Sequence, residues 1–203
     1  MRRAPLRLGV LAALLAGCDG AAPPPSGPPP TACGAVEYPD WETSDYVLPY
    51  PVGERYSVLQ GNCGAFSHTP ATDYVYAYDF AMLVGEALVA SRAGRVALVV
   101  ERYEDYDNTP GHENGVAIEH ADGTWAFYVH LTEDGAAVEV GDLVAQGDTV
   151  GYSGNTGFST EPHLHFDVRA GCPERCESVP VTFRNTEPNP GGLLQGRRYT
   201  ALP

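Results

Sequence analysis

The feature that most constrains this chain is a period it lacks. No window sustains the 3.6-residue apolar repeat of an amphipathic helix. From about residue 46 onward the sequence runs instead in short, alternating apolar segments set apart by Gly, Asp, Asn and Pro, the pattern of strands and turns. GVAIEHADGTWAFYVHL, residues 115–131, is the clearest case: two alternating runs meet at Asp122-Gly123, a favoured pair for a tight hairpin turn. ALVASRAGRVALVVERY reads as two strands with a bend at Gly94. AAVEVGDLVAQGDTVGYSG carries a Gly-Asp step at 141–142 and again at 147–148, each a turn between short strands, and HLHFDVRAG is a last alternating strand. The chain is expected to be mainly β, with many short antiparallel strands and no internal repeat. Its 203 residues suffice for one domain with a short appendage.

The appendage is N-terminal. Residues 1–17 open with Arg2, Arg3 and Arg7, continue through an apolar run from Leu8 to Leu15, and contain no acid. That run is too short to span a bilayer and reads as an export signal. It ends in Leu15-Ala16-Gly17-Cys18, which resembles the bacterial lipobox. The resemblance implies cleavage before Cys18, lipidation of its thiol, and an exported protein anchored to a membrane of the cell envelope. Residues 19–34 are rich in Pro, Gly and Ala; they cannot bury a core and read as an extended tether. The folded domain is assigned to residues 35–203.

The formal net charge is −14, and no lysine is present. The three arginines of the leader offset part of this, so the exported portion is more acidic still. Such a surface excludes nucleic acid as a partner, because phosphates need a basic face. It also excludes docking on anionic lipid, leaving the lipid anchor as the membrane contact. Besides Cys18 there are four cysteines, Cys33, Cys63, Cys172 and Cys176. Export permits disulfides and an even number suits two. Cys172 and Cys176 could close a small local loop, leaving Cys33 with Cys63; a four-cysteine zinc site is the rival, with poor spacing.

The candidate chemistry sits in SGNTGFSTEPHLHF. On a strand, residues i and i+2 share a face, so His163 and His165 project together while Leu164 and Phe166 point into the core. Two imidazoles on one side suit a metal, or a metal and a proton-transfer partner. The chain offers further partners: His68 and Asp79 flank an aromatic-rich segment, and His130 ends the second arm of the hairpin. A catalytic zinc takes three protein ligands and keeps one open position. His120, at the hairpin tip, reads as structural. The polar segment of residues 104–115 reads as a solvated surface loop, and His112 as a solvated residue within it.

HTPATDYVYAYDFAM, AFYVHL and SGNTGFSTEPHLHF together resemble the three signature segments of the M23 (LytM/lysostaphin-like) zinc metallopeptidases, over about residues 50–170. The resemblance implies an antiparallel β-sheet domain whose long loops form a groove. It further implies one Zn²⁺ per domain, held by His68, Asp79 and His165. His130 and His163 would be the catalytic pair that orients and deprotonates the attacking water. Asp73, inside the longer interval between His68 and Asp79, is the rival ligand; Asp79 is preferred for its Asp-Phe-Ala-Met context. Pro70 and Leu83 depart from the residues many relatives carry beside these motifs. The implied substrate is peptidoglycan, at the peptide stems or cross-bridges. The alternative is a non-catalytic protein of the same fold that binds the wall and activates a separate wall hydrolase as its partner.

Overall fold

A computed structural model describes residues 36–64, 66–173 and 176–203. The export signal, Cys18, the tether and Cys33 lie outside the described residues. Among the described residues, no helix is long and apolar enough to cross a membrane.

After a short 3-10 turn at Trp41–Thr43, twelve strands follow: β1 (Arg55–Gln60), β2 (Tyr78–Ala81), β3 (Ala87–Val89), β4 (Gly94–Val100), β5 (Gly115–Glu119), β6 (Trp125–Val129), β7 (Leu131–Ala136), β8 (Leu143–Val144), β9 (Thr149–Ser153), β10 (His163–Ala170), β11 (Glu177–Ser178) and β12 (Arg198–Thr200). Nine of them form one sheet in the order β12-β1-β2-β10-β6-β5-β4-β8, with β11 added beside β10; β3, β9 and β7 form a second. Every named pairing is antiparallel.

Strand alternation divides the residues of the large sheet between two faces. Leu164, Phe166 and Val168 of β10 lie on the inner face with Tyr128 and Ala126 of β6, Val116 and Ile118 of β5, and Phe80 of β2. All of them are buried, in one cluster that also takes in Leu88, Leu131 and Val150 of the small sheet. The two sheets therefore close one core between them. The outer face carries His163, His165, Asp167 and Arg169, with Asp79 opposite His165 on one side and Val129 opposite it on the other. A single eight-residue strand thus anchors the core with one set of side chains and offers polar groups with the other.

The β5–β6 hairpin forms where the alternation places it, but its loop is wider than two residues. His120 N–H donates to Thr124 O and Gly123 N–H to His120 O, and only Gly123 of the pair has positive φ, +81°. A two-residue type I′ turn needs positive φ at both central positions. Asp122 instead accepts from the Thr124 amide and hydroxyl, an arrangement that holds it in ordinary backbone geometry. Cys172 and Cys176 are joined by a disulfide, the local pairing, and Cys63 is also disulfide-bonded.

Candidate metal centre

His68, Asp79 and His165 converge although 97 residues separate the first from the last. Asp79 and His165 are directly opposed on β2 and β10, and His68 reaches them from the loop after β1. His68 Nε2 lies 3.3 Å from His165 Nδ1 and 3.3 Å from Asp79 Oδ1; His165 Nδ1 lies 2.9 Å from Asp79 Oδ1. All three residues are buried. Asp73 is not part of this group.

The remaining polar atom of each residue is tied elsewhere, and this decides which atoms face the centre. His68 Nδ1 is 3.2 Å from Gly61 O. A carbonyl can only accept, so Nδ1 carries the hydrogen and Nε2 the lone pair. His165 Nε2 meets the Asp167 carboxylate at 3.0 Å, leaving the lone pair on Nδ1. Gln60 Nε2 donates to Asp79 Oδ2, so Oδ1 is the oxygen turned inward. Three lone-pair atoms then face one another with no hydrogen between them, an arrangement that demands a cation. A proton can serve. Against the effect of burial, hydrogen bonds to Asp167 and Asp79 push His165 up to about 9. Asp79, against the same desolvation, is held well below the usual carboxylate range by His165 and His68.

A tetrahedral zinc with bonds of about 2.0–2.1 Å sets its ligand atoms roughly 3.3 Å apart. Two of the separations, at 3.3 Å, match that edge length and the third, at 2.9 Å, is somewhat shorter; a His-Asp-His set of neutral nitrogens and a carboxylate oxygen suits zinc. The residues therefore fit the ion.

His130 and His163 stand beside this triangle. Their rings are 4.6 Å apart, and the His130 ring is 6.1 Å from that of His165. His130 Nδ1 donates to Thr156 O at 2.7 Å and His163 Nδ1 to Glu161 O at 2.8 Å. Each is thereby left with its lone pair on Nε2, and His163 Nε2 lies 3.8 Å from Asp79 Oδ1. Burial first, then the neighbouring imidazoles His163 and His165, push His130 down to about 3, so it is a neutral base. His130 also sits at φ +67° between β6 and β7, a region uncommon for residues with a side chain and concentrated at functional sites.

Asp79, His130, His163 and His165 open into a cavity of about 610 Å³, whose walls include Phe66, Tyr74, Glu113, Phe158, Glu161 and Arg169; His68 is fully buried and does not line it. Phe66 and Phe158 are 75% and 54% exposed, leaving apolar rings at the mouth free to meet a ligand. Several participants escaped the sequence reading. Asp167 and Arg169 had a signal, since they continue the i+2 alternation of His163 and His165. Gln60 had none, because it comes from a neighbouring strand; Tyr74 and Thr156 lie within the motif segments, but nothing there marks Thr156 as the carbonyl that holds His130. Residues 104–115 form a largely exposed loop, as expected, but one that is also tied to the site. Asp105 accepts from the Asn155 amide at 2.6 Å, Asp107 from Gly157 at 3.2 Å and Glu113 from Phe158 at 3.2 Å. His112 stacks on Tyr103 at 4.2 Å and bonds Asp107 at 2.7 Å. The loop is bound to the turn before β10 because that turn presents a run of backbone N–H groups that carboxylates can accept.

The profile described as peptidase family M23 matches residues 73–178, just over half of the chain. Among curated proteins, lysostaphin of Staphylococcus staphylolyticus is 37% identical over 92 residues, 45% of this chain and 18% of that protein. Peptidoglycan DD-endopeptidase ShyA of Vibrio cholerae is 32% identical over 122 residues, 59% of this chain and 26% of that protein. The chain thus spans about a quarter or less of these relatives' length. The crystallised catalytic domain of lysostaphin from Staphylococcus simulans is 28% identical, with a TM-score of 0.42 over 66% of this chain and 84% of that one. The overlap is partial, and the antiparallel architecture rests on the strand pairings above.

Proposed function

The chain belongs to peptidase family M23, and on that premise we propose that it is a zinc metalloendopeptidase hydrolysing peptide bonds in the stems or cross-bridges of peptidoglycan. The observation that carries the reading is the triangle of His68 Nε2, Asp79 Oδ1 and His165 Nδ1, with edges of 2.9–3.3 Å, beside two further imidazoles. The relative named as a peptidoglycan DD-endopeptidase supplies the substrate class.

His68, Asp79 and His165 would hold the ion. When bound, zinc acidifies a coordinated water and polarises the scissile carbonyl. The rest is done by the chain itself. His130 Nε2 and His163 Nε2, the unprotonated nitrogens, are placed to take the proton of the attacking water and return one to the departing amide nitrogen. The backbone carbonyls of Thr156 and Glu161 keep both rings in that tautomer. Whichever imidazole is protonated can also donate to the oxyanion of the tetrahedral intermediate. The cavity, open on one side and walled by Phe66, Tyr74 and Phe158, suits an extended peptide. The same reading has the chain exported and carried on a lipidated Cys18 and the tether of residues 19–34.

Two variant pairs test it. His165→Ala and Asp79→Ala should abolish zinc content, read by elemental analysis. His130→Ala and His163→Ala should retain about one zinc while releasing no new amino groups from purified peptidoglycan, with products identified by mass. If both ligand variants keep their zinc, the assignment is wrong. If the wild type binds zinc yet releases no amino groups, the non-catalytic activator of a partner hydrolase takes its place.

A further inference from the structure

Asp167 is fully buried and does two things at once. Its Oδ2 lies 3.0 Å from His165 Nε2, and both its oxygens are gripped by Arg169, Nε to Oδ1 at 2.7 Å and Nη2 to Oδ2 at 2.9 Å. This two-point fork fixes the plane of the carboxylate as well as its position. Arg169 is itself fixed: its guanidinium lies 4.4 Å from the Phe127 ring and 5.9 Å from that of Tyr74. Because His165, Asp167 and Arg169 are alternate residues of β10, the assembly stands on one rigid strand.

We propose that Asp167, clamped by Arg169, is a positioning residue for the metal: it holds His165 in the Nε2–H tautomer, at the ring angle that turns Nδ1 toward His68 and Asp79. A neutral imidazole has one hydrogen, and a carboxylate can only accept it. As long as Asp167 accepts at Nε2, the lone pair is on Nδ1, the atom that closes the triangle. Remove that acceptor, and Nδ1 can instead take the hydrogen and give it to Asp79 Oδ1, 2.9 Å away. This second arrangement satisfies both groups and closes the site to a cation. Outer carboxylates on ligating histidines typically change metal affinity about 10–100-fold.

The inference rests on the ligand set proposed above, so zinc affinity of the whole wild-type chain is measured first, by competition with a chromophoric chelator. Asp167→Asn should then bind zinc about 10–100-fold more weakly, with Asp167→Glu recovering part of the loss. Asp122→Asn, which removes a carboxylate paired to an arginine at the hairpin turn, should bind as wild type does. Long-range ¹H–¹⁵N spectra of the zinc-loaded protein should show His165 as the Nε2–H tautomer, and that signature should weaken in Asp167→Asn. If Asp167→Asn does not fold, Arg169→Gln, which frees the carboxylate without removing it, should give a smaller loss in the same direction. Affinity within twofold of wild type in whichever of these folds overturns the positioning role alone. A wild type that binds no zinc overturns both this role and the ligand set.

Discussion

His130 illustrates how much a single residue carries here. Its φ of +67° places a side chain where Asn and Asp are the best tolerated substitutes after Gly. His130→Asn should therefore fold as stably as wild type and keep zinc, while losing hydrolysis. His130→Ala should be destabilised in addition, by about 1 kcal/mol, as a urea titration of both variants would show. His120 has a different task. Its Nδ1 donates to Ala93 O, its Nε2 is buried without a partner, and Tyr46 packs edge-on against it. Burial, and after it the charge of Arg92, lowers its affinity for protons; Asp122 and Asp45 oppose this without prevailing. A histidine held below its ordinary value of about 6.5 binds fewer protons folded than unfolded, so its contribution is complete above that pH and is lost as pH falls below it. The loss should grow steadily as the pH is lowered from about 6.5. The difference between wild type and His120→Gln isolates this effect, and equal pH slopes for the two would refute it.

Among the elements, the loop of residues 104–115 matters more than its composition suggests. Through Asp105, Asp107 and Glu113 it grips the backbone of residues 155–158, the turn whose Thr156 carbonyl holds the His130 ring. Gly157 sits at φ +69°, and an added Cβ there would press on Glu113, so the contact is close on both sides. Asp105→Ala should speed amide exchange at residues 154–158 and lower kcat while leaving zinc content unchanged. Unchanged exchange would show that the loop is a bystander. Strand alternation made the element β10 legible, down to the split between inward Leu164 and Phe166 and outward His163 and His165. The strap was not legible, because the amides that its carboxylates bind lie about 45 residues further along the chain.

At the scale of the molecule, the core and the metal site are two faces of one sheet. Phe166 is fully buried against Tyr128 and Phe183. Phe166→Ala should cost about 3–5 kcal/mol and weaken function through loss of fold rather than of ligands. Zinc should stabilise the same sheet by mass action, since the ligands converge only in the folded chain. At a free concentration of 100 times Kd the gain is about 2.7 kcal/mol. Chelation should therefore lower the unfolding temperature, and the shift should vanish in Asp79→Ala.

By itself the sequence determined the β character, the hairpin of residues 115–131 and the two faces of β10, while the five histidine and aspartate candidates followed from the resemblance of three segments to the M23 signatures. The first three rest on residues close along the chain, where backbone alternation translates spacing directly into direction. Only the tertiary structure brought Asp79, which its motif context had already favoured over Asp73, to within 3.3 Å of both His68 and His165. The same holds for which nitrogen of each imidazole faces inward, and for the parts of Gln60 and Thr156 in holding ligand and base. Those outcomes depend on hydrogen-bond partners brought together by strand pairing and loop closure, over separations of up to 97 residues, and no local pattern encodes them.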